Sequence, residues 1–125
     1  MKLTKQGVPL ALIAAILLAF VIAIAVPIAL VKYHDYKVLA VYYELLHRQA
    51  TEQQVRSRLG PPLAVVTKQD QLKRWSRGLS PQPDMRIESK VLIYPTYDFF
   101  CDPYMYMYLY INRKGILTMV NAAYP

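Results

Sequence analysis

The residues from which catalytic sites are usually assembled are scarce in this chain. It holds one cysteine, Cys101, and two histidines, His34 and His47. A single cysteine cannot close an internal disulfide, and Cys101 lies far from the amino terminus, where a lipoprotein would carry its attachment site. It reads as a small semi-buried thiol. The histidines are 13 residues apart, which on one helix separates them by about 140° in azimuth and roughly 20 Å along the axis, so they cannot share a metal. There is no other pair with ligand spacing, no glycine-rich phosphate loop and no serine in a nucleophile-elbow context. Asp98 and Asp102 flank Phe99-Phe100-Cys101, but no histidine stands near them in sequence to act as a base, and the segment reads as a loop with aromatic plugs. The expectation is a non-enzymatic protein with no catalytic, cofactor-binding or metal site.

Charge is missing altogether from Val8 to Val31, 24 residues without a polar side chain. As a helix this run extends roughly 36 Å, enough to cross a hydrocarbon core of about 30 Å with a modest tilt. Lys2 and Lys5 before it, and Ala23-Ile24-Ala25 within it, resemble the parts of a cleavable signal peptide, but the apolar run continues through Val31 and exceeds a usual signal core of about 7 to 15 residues. A retained membrane anchor over residues 1–31 is expected, its helix opening at Pro9 and stressed near its far end by Pro27. Residues 32–125 then form one small domain, since a second core could not bury enough surface to hold itself together. The positive-inside count, Lys2 and Lys5 against Lys32 and Lys37, is close to a tie.

Acidic residues number 8 against 15 lysines and arginines. Six of the cations, Lys68, Lys73, Arg74, Arg77, Arg86 and Lys90, fall in one central stretch and are candidate contacts to anionic headgroups or an acidic partner, the alternative being a solvated loop. They are not interleaved with the tyrosines described below, and with a membrane tether this argues against a nucleic-acid partner.

Beyond the anchor, Tyr36, Leu39, Tyr43 and Leu46 recur at helical spacing with Lys37, Glu44 and Arg48 on the opposite face. This predicts an amphipathic helix continuing the membrane helix as a stalk. Thr51 with Gln54 forms a capping box that opens a short helix carrying Val55 and Leu59 inward, and Gly60-Pro61-Pro62 ends it. Leu63 to Trp75 is ambiguous, with Leu63–Thr67 plausible as a strand. Ser76 to Ser89 is a loop by composition. Val91 to Tyr97 is strand-like but contains Pro95, predicting an edge strand or a bulge. Tyr104 to Ile111 alternates strictly over eight positions, a β-strand, and Asn112 to Gly115 turns it into a hairpin with Ile116 to Val120. The predicted fold class is α+β: a transmembrane helix, then a two-layer domain of two helices on a three-stranded antiparallel sheet.

The segment from Ala50 to Pro62, with its capped helix, Leu59-Gly60 and paired prolines, resembles the helix-to-turn signature of the SmpA/OmlA (BamE-like) family of small envelope proteins of the outer-membrane barrel assembly machinery. Leu109 to Thr118 resembles that family's terminal hairpin, and the likeness covers about residues 42–122. It implies two helices on one face of a three-stranded sheet and a non-catalytic adaptor role in the bacterial envelope. The lipidated N-terminal cysteine of the assembly-machine subunits is absent here, and a hydrophobic anchor stands in its place.

On the alternating strand, Tyr104, Tyr106, Tyr108 and Tyr110 share one face and Met105, Met107, Leu109 and Ile111 the other. Helices covering one side would bury the Met/Leu/Ile face and leave the tyrosines open as an interaction face, tyrosine being suited to a half-wet surface. Cross-strand aromatic packing, worth about 0.2–1 kcal/mol per pair, is the alternative. The expected function is a membrane-tethered protein-interaction or scaffold module, the alternative an accessory single-pass subunit of a larger membrane complex. The resemblance favours a bacterial inner membrane with the N-terminus cytoplasmic and the domain outside the cytoplasm. The bilayer and an envelope protein are the expected partners, with no small-molecule substrate evident.

Overall fold

The apolar run becomes a helix, as its length and composition dictate. The computed structural model describes residues 9–97 and 103–125. Helix α1 spans Leu10–His47 and starts where the carbonyl of Pro9 accepts from the amides of Leu12 and Ile13. It continues through Pro27. The remaining elements are α2 (Glu52–Leu59), β1 (Ala64–Val66), α3 (Gln69–Trp75), β2 (Lys90–Tyr97), β3 (Pro103–Ile111) and β4 (Leu117–Ala123). Two compact units result, Met1–His34 and Asp35–Pro125. In the first, large aliphatic side chains from Leu10 to Leu30 are exposed all round the helix and unburied among the described residues. This is a helix long and apolar enough to cross a membrane.

The second unit is built on one antiparallel meander in the order β1-β2-β3-β4. This is a mixed α+β architecture, but with a fourth strand and a third helix beyond the three strands and two helices expected. The fourth strand is β1, drawn from the ambiguous segment, and pairs with only three residues of β2. β2 is therefore an inner strand, not an edge. Pro95 is tolerated because β1 pairs only as far as Ile93, leaving that side of β2 open beyond it. The expected irregularity follows at once, between Thr96 and Tyr97.

One face of the sheet is covered by α1 and α2. Met105, Met107, Leu109 and Ile111 point here, as the alternation predicts, and pack with Leu92, Tyr94, Leu117, Tyr42, Leu45 and Val55. The inward stripe of α1 is rotated from the expected one. Tyr42 and Leu45 are its buried residues, with Val38 and Val41 beside them, while Tyr36 and Tyr43 are 71% and 51% exposed. Leu39 and Leu46 flank the core, about 100° of helix rotation from its centre.

At the end of α1 the chain turns through Gln49, at φ 50°, and closes with Ala50 N–H donating to the Leu45 carbonyl at 3.0 Å. The capping box on α2 is formed as expected: the Gln54 amide donates to Thr51 Oγ1 and the Thr51 amide to Gln54 Oε1. Gly60 ends α2 at φ 82°, and its carbonyl accepts from the Tyr94 hydroxyl at 2.9 Å, tying the helix to the sheet. The hairpin turn is held by Asn112, whose Oδ1 accepts from the amides of Lys114 and Ile116.

The opposite face is also covered, and this departs from the expected two layers. Between β1 and β2 the chain forms α3 and then an extended strap that crosses the sheet. Ser80 exchanges backbone hydrogen bonds with Tyr124 at the β4 edge, at 2.8 and 2.9 Å, and the Asp84 amide donates to Asn121 Oδ1 at 3.0 Å. Leu72 of α3 and Leu79, Met85 and Ile87 of the strap close a second core over Val66, Val91, Ile93, Tyr108, Tyr110 and Ala123. Pro83 within the strap is buried. The strap is a loop by secondary structure, as its composition implied, but its few apolar residues are spent on this core.

Both cores should therefore matter to stability. Leu109→Ala on one face and Ile93→Ala on the other, each fully buried, are expected to cost about 2–5 kcal/mol. Chemical denaturation of the full chain in a mild non-ionic detergent measures this. An Ile93→Ala midpoint equal to wild type would mean the strap contributes no core.

Candidate functional site

The tyrosine row lies on the strapped face, so its residues are not equivalent. Tyr108 is 0% and Tyr110 4% exposed, Tyr106 is half-buried at the margin of the same core, and the side chain of Tyr104 lies outside the described part of the structure. Tyr108 and Tyr110 offer a partner no surface, which corrects the expectation of an open four-tyrosine face. Period two correctly separated the two faces of β3. It could not reveal that a distant loop covers one of them.

The two buried hydroxyls differ in their partners. Tyr110 donates to the backbone carbonyl of Asp84, pinning the strap to the middle of the sheet. The Tyr108 hydroxyl is buried with no hydrogen-bond partner among the described residues. Burial pushes the Tyr108 phenol up to about 12 and raises that of Tyr110, with the Asp84 carboxylate adding to the latter. Asp84 is held down at about 2 by hydrogen bonds from the Arg86 guanidinium and amide.

The six central cations divide into two groups. Arg86 pairs with Asp84 at 2.7 Å, and Lys90 Nζ reaches Glu52 at 2.8 Å. Glu52 also takes Arg56 Nε at 3.0 Å, so one carboxylate joins α2 to the start of β2, and the hydrogen bond from Lys90 is the main cause of its lowered pKa. These two cations serve the domain's own structure. Lys68, Lys73, Arg74 and Arg77 are exposed on and around α3 and meet no carboxylate among the described residues. The single tryptophan, Trp75, stands among them 39% exposed, and with Arg74, Gln71, Val65 and Val66 it lines a shallow cleft beside β1. Sequence reasoning marked the charges but missed Trp75 and Val65, which no periodic pattern singles out.

A second groove runs between the end of α1 and α2, lined by Glu44, Arg48, Gln53, Gln54, Ser57 and Arg58. Glu44 and Arg48 are paired at 3.2 Å on its α1 side, the exposed four-apart pair the sequence suggested. Of the residues weighed for catalysis, His34 is half-buried and His47 exposed on α1, while Asp98, Cys101 and Asp102 lie outside the described residues. No group of three metal-ligating side chains occurs among the described residues.

What fold and surface define is a mixed α+β domain with a four-stranded antiparallel sheet covered on both faces, preceded by a helix of membrane-spanning length and composition. Compared with known proteins, the chain matches no family model, no curated protein and no solved structure.

The buried tyrosines imply alkaline sensitivity. Each phenol is harder to ionise when folded, so the unfolded chain releases these protons first, near the ordinary tyrosine value of about 10. Stability should be unaffected by these groups below about pH 10 and fall as pH rises toward 12. Tyr108→Phe, which removes only an unpaired buried hydroxyl, should be neutral or stabilising by up to about 1 kcal/mol, and Tyr110→Phe, which leaves the Asp84 carbonyl unsatisfied, should cost about 1–3 kcal/mol. Denaturation midpoints at neutral and alkaline pH measure both. Equal losses for the two variants would contradict the assigned partners.

Proposed function

We propose that this chain is a non-enzymatic, membrane-tethered protein-interaction or scaffold module of the bacterial cell envelope, similar in fold to the SmpA/OmlA family. The observation that carries it is α1: a stretch of large aliphatic side chains left exposed among the described residues, followed by a separate unit with its own two cores. Such a surface is costly in water and favourable in lipid, where a helix satisfies its own backbone. The tethered unit then offers surfaces and clefts to other envelope proteins. The likeness of Ala50–Pro62 and Leu109–Thr118 to that family supports an adaptor role, with the N-terminus cytoplasmic, the helix in the inner membrane and the domain outside the cytoplasm.

A second reading, an accessory subunit of a larger membrane complex, is favoured by one feature. Tyr36, Ala40, Tyr43 and His47, bordered by the core-flanking Leu39, line a stripe on α1 outside its buried Tyr42 and Leu45. Recovery of a stoichiometric integral partner in mild detergent would select it, and a chain that purifies alone would select the first.

The anchor itself is tested by carbonate extraction and intact mass. The protein should stay in the membrane fraction with Val8–Val31 retained, and a mature N-terminus near Val26 would overturn the tether. A C-terminal reporter active only outside the cytoplasm should be active, and one active only in the cytoplasm should be silent.

A further inference from the structure

We propose that the cleft between β1 and α3 is a docking site for an extended acidic segment of a partner protein, laid along the open edge of the sheet. The proposal deepens the interaction-module reading and rests on it for the existence of a protein partner.

β1 is one of the two outer strands of the sheet, the other being β4. The Ile93 carbonyl points toward it and accepts from the Leu63 amide at 2.8 Å. Ala64, opposite Ile93, and Val66, opposite Val91, therefore turn their backbone groups to β2, and Val65 between them turns its N–H and C=O outward. Val65 lines the cleft with Trp75 and Arg74, while its half-exposed side chain, opposite Leu92, lies on the other face of the sheet, so the cleft meets its outward backbone. An exposed strand edge beside an aromatic ring is the arrangement that strand addition uses, with backbone bonds holding the guest and side-chain contacts selecting it.

Charge complementarity decides the class of guest. Arg74 lines the cleft, Lys68, Lys73 and Arg77 lie on or next to α3 and add positive charge near it, and Asp70 is the one acidic residue of α3. The cations are free of ion pairs among the described residues, unlike Arg86 and Lys90, which carboxylates of the domain already engage. A chain with carboxylates on one face of an extended segment would meet these charges, while its apolar residues meet Trp75 and its backbone meets Val65. A layer of anionic headgroups could use the charges, but it has no backbone to exchange with Val65 and no segment to enter the cleft. The observations together favour a polypeptide.

Trp75 is the only tryptophan in the chain, so its emission reports the cleft directly. The full chain in neutral detergent is titrated with short synthetic peptides in which Asp or Glu alternates with Val, and with the same peptides carrying Lys in place of the acids. The acidic peptides should shift Trp75 emission to shorter wavelength saturably, bind more weakly as salt is raised, and slow hydrogen exchange at the Val65 amide. The double variant Lys73→Glu, Arg74→Glu should weaken them at least about tenfold, with thermal denaturation showing the variant folded. Absence of binding by every acidic peptide, or equal binding of the lysine peptides, would overturn the proposal. So would an emission shift with no protection of Val65, or shielding of Trp75 by phosphatidylglycerol vesicles but not by peptide, which would assign the patch to lipid. If the peptides fail while the protein still resists carbonate extraction, the docking site falls and the tether stands.

Discussion

β3 is the strand on which the domain depends, because it is buried on both faces. An antiparallel sheet with one wet face can shift a strand by one residue at the cost of its inner contacts. A strand buried on both sides would exchange two cores at once, placing Met107 and Leu109 under the strap and Tyr108 and Tyr110 under the helices. The two sets differ in shape and polarity, so register is held from both directions. Tyr110 adds direction to one of them, since its hydroxyl must meet the Asp84 carbonyl.

The rest of the domain is arranged around that strand by a few polar ties between distant segments. Glu52 draws α2 to Lys90 at the beginning of β2, and the Tyr94 hydroxyl holds the carbonyl of Gly60 at the far end of the same helix. Ala50 and Glu52 bond to the backbone of Leu117 and Gly115, so the start of α2 lies against the β3–β4 hairpin. On the other face Ser80 and Asp84 fasten the strap to Tyr124 and Asn121. Most of these ties are single hydrogen bonds, each contributing about 0.5–1.5 kcal/mol, and they act by positioning segments whose apolar burial supplies most of the stabilisation.

This arrangement leaves the domain's unclaimed chemistry at the margin. The sheet's faces are closed, and of the central cations two are held by neighbouring carboxylates. Among the described residues, the exposed surface includes the β1 edge, Trp75 and the four basic residues around α3, the groove between α1 and α2, and the outer stripe of α1. A protein held by a membrane helix needs little affinity for a partner in the same membrane, because tethering can raise effective concentration to the order of millimolar. Shallow, polar-rimmed sites are sufficient under that condition.

Local chemistry alone was enough to specify α1, the capping box at Thr51, the stop at Gly60, the turn at Asn112 and the two faces of β3. Each depends on residues close in sequence: an uncharged run, a hydroxyl spaced three from a glutamine, an amide side chain folding onto its own turn, an alternation. The tertiary structure decided what covers the tyrosines, which way α1 rotates and which cations are free. Leu72, Leu79, Met85 and Ile87 belong to no one periodic run, with only Met85 and Ile87 at a two-residue spacing, and their role exists only once the strap lies across Tyr108 and Tyr110. Likewise Lys90 and Lys73 are indistinguishable as lysines in a basic stretch, until folding brings Glu52 to one and leaves the other in solvent. Periodicity assigns a side chain to a face, but the partner on that face is selected by contacts between residues far apart in the chain.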